Sequence, residues 1–78
     1  MDTDNTAELD RLQAAYKQAV DTWVDMIRKE EALASVTHNL AEVDRWEAAY
    51  FQVEVLRTKA RAAKREYEAA LREKFFGF

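Results

Sequence analysis

The sequence contains no proline and no cysteine, and its single glycine is Gly77, the penultimate of 78 residues. Strands in small domains are joined by turns that rely heavily on glycine and proline, so this chain has almost no turn chemistry. The shortage argues against an all-β or α/β fold. A composition of 49% hydrophobic and 35% charged residues fits neither a disordered polar chain nor a membrane span. We therefore expect one all-α domain over residues 1–78.

The absence of cysteine also removes several kinds of site. It excludes disulfide scaffolds, thiolate zinc sites and a cysteine nucleophile, and it fits a reducing compartment, so we expect a cytoplasmic protein. The first twenty residues carry four acids and no long apolar run, and we expect no secretory signal there. No uncharged stretch approaches the roughly 18 residues of a bilayer span, and we expect no membrane partner.

Two segments of the chain resemble each other. Residues 5–16 read NTAELDRLQAAY and residues 39–50 read NLAEVDRWEAAY, with eight of twelve positions identical at an offset of 34. We interpret units 5–34 and 39–74 as an internal duplication, the alternative being chance similarity between two alanine- and glutamate-rich helices. Each unit begins with an asparagine, Asn5 or Asn39, followed three residues later by glutamate. This pattern predicts a capped helix start at each asparagine.

Apolar residues recur with helical periodicity in both units. In the first unit Leu9, Tyr16 and Trp23 recur every seven residues, which predicts a helix over about 6–34. In the second unit, apolar residues at alternating steps of three and four predict a helix over about 40–74. We call these residues the inner stripe: Trp46, Ala49, Val53, Leu56, Ala60, Ala63, Tyr67 and Ala70.

The stretch between the two units contains mediocre helix formers at residues 35–39, where we expect the chain to turn. A turn there makes an antiparallel two-helix hairpin. The competing structure is one continuous helix of roughly 105 Å, since the turn lacks glycine and proline.

The second helix carries another apolar patch, about 180° from the inner stripe. This outer patch consists of Ala48, Phe51, Val55 and Ala62, with Leu40 and Ala69 near its ends. One partner helix cannot cover both sides of the second helix, so we expect another copy of the chain to cover the patch. The expected assembly is a homodimer that forms a dimeric four-helix bundle. The alternatives are a hetero-complex with another protein and simple exposure of single apolar residues.

Charge is distributed unevenly along the chain. Residues 1–56 carry twelve acids and five bases, whereas residues 57–74 carry seven bases and three acids. We define a basic strip that contains no acid between its members: Arg57, Lys59, Arg61, Lys64 and Arg65. One interpretation is a contact with RNA or DNA phosphates, although a net charge of −3 gives no general reason to expect nucleic acid.

The favoured interpretation of the basic strip is pairing with the acidic start of the first helix. A hairpin that turns near residues 37–38 places Arg65 near Asp10. The same register places Arg72 near Asp2 and Asp4. Such exposed pairs contribute only about 0–1 kcal/mol each, so they set the direction of packing more than its strength.

The chain ends with three aromatic residues around its only glycine: Phe75, Phe76, Gly77 and Phe78. Gly77 can adopt the left-handed conformation that ends a helix. We expect Phe75 and Phe78 to fold over the open end of the hairpin, against Leu9 and Leu12 or against a neighbouring subunit. The alternative is that the phenylalanines dock into a pocket of a partner protein.

No combination of residues in the sequence indicates catalysis. His38 is the only histidine and lies in the expected turn, helical Glu-x-x-His pairs are missing, and one glycine cannot build a phosphate-binding loop. We expect no catalytic, metal or cofactor site, no small-molecule substrate and no enzyme activity. The expected function is that of a small structural or adaptor module that self-associates and assembles with proteins. The alternative is a hairpin dimer that binds RNA or DNA through residues 57–65.

Overall fold

The computed structural model describes the backbone of residues 2–36 and 39–77, and the side chains within 6–36 and 39–77. Helix α1 spans Asp2–Ser35 and helix α2 spans Leu40–Phe76. The helices pack antiparallel along their lengths and form a rod of 59 × 18 × 13 Å. The fold is the all-α helical hairpin that the sequence predicts, and the continuous-helix alternative is wrong. His38 lies outside the described residues.

Helix α2 begins with the predicted N-cap. Asn39 has an extended backbone, with φ −149° and ψ 172°, and its side-chain oxygen accepts a hydrogen bond from the backbone N–H of Glu42. The Asn39 Nδ2 group donates in turn to Glu42 Oε1 at 3.0 Å. These bonds satisfy one of the backbone donors that a helix start exposes. A helix start at Asn39 is therefore confirmed, and it supplies the turn that glycine and proline do not.

Helix α1 does not begin at Asn5, as the repeat predicted. It begins at Asp2, so Asn5 lies inside the helix, and the predicted cap there is wrong. The segment before Asn5 contains Asp2 and Asp4, and acidic residues in a first turn interact favourably with the helix dipole. Asn39, by contrast, follows a break in the helix, where a new cap is required.

Gly77 ends α2 in the predicted left-handed conformation, with φ 77° and ψ 16°. Its backbone N–H donates to the carbonyl oxygen of Glu73 at 3.1 Å, which satisfies one of the last helix acceptors. A side chain would strain this backbone conformation, whereas glycine adopts it readily. The helix consequently runs to Phe76, two residues beyond the predicted end.

The contact between the helices is narrow. Among the described residues only Leu12, Ala49 and Ala60 are buried, with exposed fractions of 8%, 5% and 3%. Ala49 and Ala60 belong to the inner stripe, and their small side chains let the two backbones approach closely. Most of the stripe is half-buried, and Trp46 is exposed at its edge. The inner stripe therefore faces α1, but a single partner helix covers it incompletely.

Three side-chain contacts fix the register between the helices. Near the turn, Trp46 Nε1 donates to Glu30 Oε1 at 2.8 Å. Farther out, the rings of Tyr16 and Tyr67 lie 6.5 Å apart between centroids. At the open end, the side chain of Lys74 reaches that of Thr6, with Nζ and Oγ1 3.4 Å apart.

The charges that the sequence analysis paired do not meet. Asp10 projects about 160° away from the buried Leu12, and Arg65 about 140° away from the buried Ala60, so both side chains point away from the opposite helix. Asp10 and Arg65 are both exposed and form no ion pair with each other, so the predicted pairing is wrong. The side chains of Asp2 and Asp4, which were expected near Arg72, lie outside the described residues. Both ion pairs of the described side chains join residues three apart on one helix.

Trp23 lowers the stability that this narrow core provides. Its indole N–H is buried and has no hydrogen-bond acceptor in the described part of the chain. An unsatisfied buried donor costs about 1–3 kcal/mol, which is a large fraction of the stability of a small domain. The isolated hairpin therefore has little stability in reserve.

Candidate interaction surface

The outer patch lies on the side of α2 that faces away from α1. With 3.6 residues per turn, Phe51 and Ala62 project roughly opposite to the buried residues Ala49 and Ala60. Phe51 is 65% exposed, and Ala48 is exposed beside it. Val55 and Ala62 are half-buried. The helix thus places the four predicted residues on one face that α1 does not cover.

Other apolar side chains are exposed towards the turn. Leu40 is 76% exposed, and Tyr50, which was not among the predicted site residues, is 57% exposed and projects about 100° around α2 from Phe51. Val36 in the turn is also exposed. The helical position of Tyr50, off the inner stripe, was the signal that could have identified it.

The aromatic end of α2 is exposed within the single chain. Phe75 and Phe76 continue the helix and are 65% and 69% exposed, so Phe75 does not fold over the open end of its own hairpin. Lys74 lies over the Phe75 ring, with Nζ 5.7 Å from the centroid, which is within cation–π distance. Covering by a neighbouring subunit, or docking into a partner, stays a prediction. Phe78 lies outside the described residues.

The basic strip does not form one continuous face. Arg57, Arg61, Lys64 and Arg65 share one side of α2, whereas Lys59 projects about 160° away from Arg61. Arg57 is half-buried and donates to Glu54 Oε2 at 3.3 Å, which partly neutralises it. Four of the five predicted cations therefore point in a common direction, and one of the four is held by an acid of its own helix.

The ion pair near the start of α1 perturbs two titrating groups. Arg11 donates from Nη2 to Glu8 Oε1 at 2.6 Å and from Nε to Oε2 at 3.1 Å. This hydrogen bonding lowers the pKa of Glu8 below its ordinary value and raises the pKa of Arg11. Both side chains are exposed, so the pair is a surface feature of one helix rather than part of a cleft.

Grooves in the hairpin are open and shallow. One, of about 660 Å³, runs along one side of the helix pair and is lined by Tyr16, Val20 and Tyr67 together with charged residues of α1. Within the described residues there is no cluster of three or more histidine, aspartate or glutamate side chains arranged to hold a metal ion. Neither helix, over its described length, has a stretch apolar enough to span a bilayer.

Comparison with known proteins yields no relative for this chain. No protein-family model matches the sequence, and neither a curated protein nor a solved structure is significantly similar to it. Function must therefore be inferred from the surface of the hairpin itself.

Proposed function

We propose that this protein is a small, non-enzymatic helical-hairpin module that acts by self-association and protein–protein assembly. A homodimer that forms a dimeric four-helix bundle is its basic unit, with the outer patch of α2 in the interface. Further proteins assemble on this unit, as expected of a structural or adaptor module. We place it in the cytoplasm, in line with its lack of cysteine.

The observation that carries this proposal is the amount of surface that one hairpin leaves exposed. The chain exposes 6124 Å², whereas a compact monomer of 9.1 kDa exposes about 4900 Å². The excess of about 1200 Å² exceeds the roughly 800 Å² that each partner contributes to a standard interface. Its radius of gyration of 17.5 Å is likewise well above the roughly 11.5 Å of a compact domain of this length.

The exposed surface is of the kind that interfaces use. Phe51, Phe75 and Phe76 are each about two-thirds exposed, and aromatic side chains are common anchors at interface centres. Seven large hydrophobic residues are exposed in the described part of the chain, against three buried ones in its core. Association covers these side chains and adds the burial that the isolated hairpin lacks.

Binding of RNA or DNA through residues 57–65 has weaker support. Lys59 projects away from the other cations, and Arg57 is bound to Glu54. A phosphate-binding surface gains affinity from several cations that act together, and of the four that share a direction only Arg61, Lys64 and Arg65 form no ion pair with a described residue. The assembly function is therefore the one that we propose.

Light scattering of the purified chain at micromolar concentration tests the proposal, and we expect the mass of a dimer. Replacement of Phe51 and Val55 by glutamate should give a monomer with intact helicity, because glutamate is the better helix former at both positions. Ala7→Glu with Ala32→Glu is the matched control, since it adds the same charge at exposed positions on the opposite side of the hairpin. A monomeric wild-type chain would contradict the proposal, and an unchanged mass in F51E/V55E would place the contact elsewhere.

A further inference from the structure

One side of the hairpin carries apolar residues from both helices in the half nearest the turn. Tyr16, Val20 and Tyr67 line a groove on this side, whereas Ala19 and Leu56 line a groove on the opposite side. Helical positions assign six residues to the first side, which we call the turn face: Val20, Val24 and Ile27 of α1 with Trp46, Tyr50 and Val53 of α2. On α2 the mean direction of the turn face lies about 160° from that of the outer patch, so the two surfaces are separate.

The turn face is open to solvent in the single hairpin. Trp46 and Tyr50 are 36% and 57% exposed, and the four aliphatic members are half-buried. The Trp46 indole N–H donates to Glu30 Oε1 at 2.8 Å, so the ring is held in place before any partner binds. Tryptophan and tyrosine are frequent anchors at the centres of protein interfaces. A groove between two helices that presents such anchors fits the apolar stripe of a third helix.

Cations from both helices follow the turn face toward the middle of the hairpin. Ala19 and Lys59 line one groove, so residue numbers at one level of the two helices add to about 78. Lys17 is therefore level with Arg61, and Lys64 lies about one turn farther from the chain turn. By helical position, each of these three cations projects within about 80° of every turn-face residue of its own helix. All three are exposed and form no ion pair with any described residue.

Acidic residues on this side border the three cations and do not lie between them. Asp10 and Glu68 lie toward the open end, and Asp21, Glu31 and Glu54 lie toward the turn. None of the five forms an ion pair with these cations, and Glu54 is held by Arg57 at 3.3 Å. The surface therefore combines an apolar half with unpaired positive charge, which favours a partner that is apolar at one end and acidic at the other. Nucleic acid would match the cations but leave the apolar half uncovered.

From this arrangement we infer that the turn face, with Lys17, Arg61 and Lys64 beside it, docks a helix of another protein whose apolar stripe is followed at one end by acidic residues. The docked helix lies in the groove between α1 and α2 and forms a three-helix bundle with them. On α2 the contact runs from Trp46 to Lys64, about 27 Å, which corresponds to about five turns of the partner helix. The inference rests on the proposed assembly function and names its surface and the chemistry of its partner.

Fluorescence anisotropy with labelled synthetic helices tests the inference. The probe is a peptide of about four heptads, with leucine at positions a and d, glutamate at the flanking positions of one half and glutamine at those of the other. Two versions carry the acidic half at the N-terminal or the C-terminal end, because the groove accepts a helix in either direction. In matched peptides lysine replaces each glutamate. We expect one acidic version to bind the wild-type chain, and its lysine match to bind at least about tenfold more weakly.

Substitutions in the chain locate the bound helix. Y50A should weaken binding of the acidic peptide by about tenfold, because it removes an aromatic anchor. R61E/K64E should weaken it by a similar factor, because the new glutamates repel those of the peptide. K29E/R45E is the matched control, since it makes the same change of charge at exposed cations on the opposite side of the hairpin. We expect this control to bind within about twofold of wild type.

The F51E/V55E variant separates this inference from the proposed dimer. The outer patch and the turn face lie on different sides of α2, so F51E/V55E should bind the acidic peptide as tightly as wild type does. A wild-type chain that is dimeric but binds neither acidic peptide would overturn the inference and keep the dimer. A monomeric wild-type chain that binds an acidic peptide would do the reverse.

Three further results would overturn the inference. Equal affinity for the acidic and the lysine peptides would remove the role of the cations, and unchanged binding by Y50A would place the peptide elsewhere. A Y50A chain that becomes monomeric in light scattering would assign the turn face to a second copy of the chain. Displacement of the peptide by oligo(dT), with oligo(dT) binding lost in R61E/K64E, would assign the cations to nucleic acid.

Discussion

The two repeated segments, residues 5–16 and 39–50, share eight of twelve residues but occupy different environments. In the first segment Leu12 is buried and Ala15 is exposed. In the second, the alanine at the equivalent position, Ala49, is buried, and Trp46, the equivalent of Leu12, is exposed. The same local sequence therefore presents different positions to the partner helix.

The difference shows that local sequence alone determines neither where a helix begins nor which of its sides faces the partner helix. Asn39 caps a helix because α1 has ended before it, whereas Asn5 lies inside a helix that has already begun at Asp2. The side that faces inward depends on where the partner helix lies, which is a tertiary property. A duplication, which stays a prediction, would thus have produced two halves that are not equivalent in structure.

The largest expected contrast is between Ala49→Glu and Ala15→Glu. Ala49 is 5% exposed between the helices, so a glutamate there must either bury its charge or separate the helices. We expect a loss of about 3 kcal/mol or more, and a change within about 0.5 kcal/mol for the exposed Ala15. Urea denaturation followed by circular dichroism measures both. Similar losses at the two positions would contradict the structural difference between the segments.

The equivalent tyrosines provide the next contrast. Tyr16 is half-buried against the Tyr67 ring, whereas Tyr50 is 57% exposed. Tyr16→Ala should cost about 2 kcal/mol through lost burial and the lost ring pair. Tyr50→Ala should cost less than about 0.5 kcal/mol within the hairpin. Measurements at several protein concentrations separate this effect from dimer dissociation. A larger loss of stability for Tyr50→Ala than for Tyr16→Ala at every concentration would contradict the exposed position of Tyr50.

The asparagines sharpen the comparison further. Asn39→Ala removes the N-cap of α2 and should cost about 1 kcal/mol. Asn5→Ala should be neutral or stabilise by up to about 0.6 kcal/mol, because alanine is the better residue inside a helix. Thermal unfolding of the two variants compares them. Equal destabilisation by the two substitutions would show that Asn5 also caps a helix.

The smallest expected effect concerns Glu8, the equivalent of Glu42. The pKa of Glu8 is lowered in the folded chain by its hydrogen bonds to Arg11. A lowered pKa means that the pair stabilises the fold above the ordinary pKa of glutamate, and this contribution is lost as pH falls through the lowered value. Glu8→Gln should therefore lower the melting temperature slightly at pH 6 and leave it unchanged near pH 2. A difference that grows on acidification would contradict this linkage.

Much of the fold could be predicted from the sequence, because helix bounds and helix caps are determined by residues close together in the chain. Helical periodicity gave both helices, and the ends differ by no more than four residues from those predicted. The N-cap at Asn39 and the left-handed Gly77 follow from side-chain and backbone chemistry within one helical turn. The inner stripe was identified for the same reason, and it contains both buried residues of α2.

Features that depend on contacts with the other helix could not be predicted from the sequence. The register between the helices is set by contacts such as Tyr16–Tyr67 between residues far apart in sequence. Exposure of Trp46 and Tyr50 follows from the rotation of α2 against α1, which periodicity determines only to within about one residue. The residues of the outer patch could be identified as one helix face, because that again is a local property.

The two tryptophans of the hairpin are intrinsic fluorescent reporters, one of its exposed edge and one of its interior. Trp46 lies at the exposed edge with its indole N–H bound to Glu30 of the opposite helix, whereas the indole N–H of Trp23 is shielded from water. Emission from Trp46 responds when the helices part near the turn, and emission from Trp23 responds when water reaches the interior. Variants that retain one tryptophan can therefore follow, without any added label, whether the hairpin opens from its turn or comes apart as a unit.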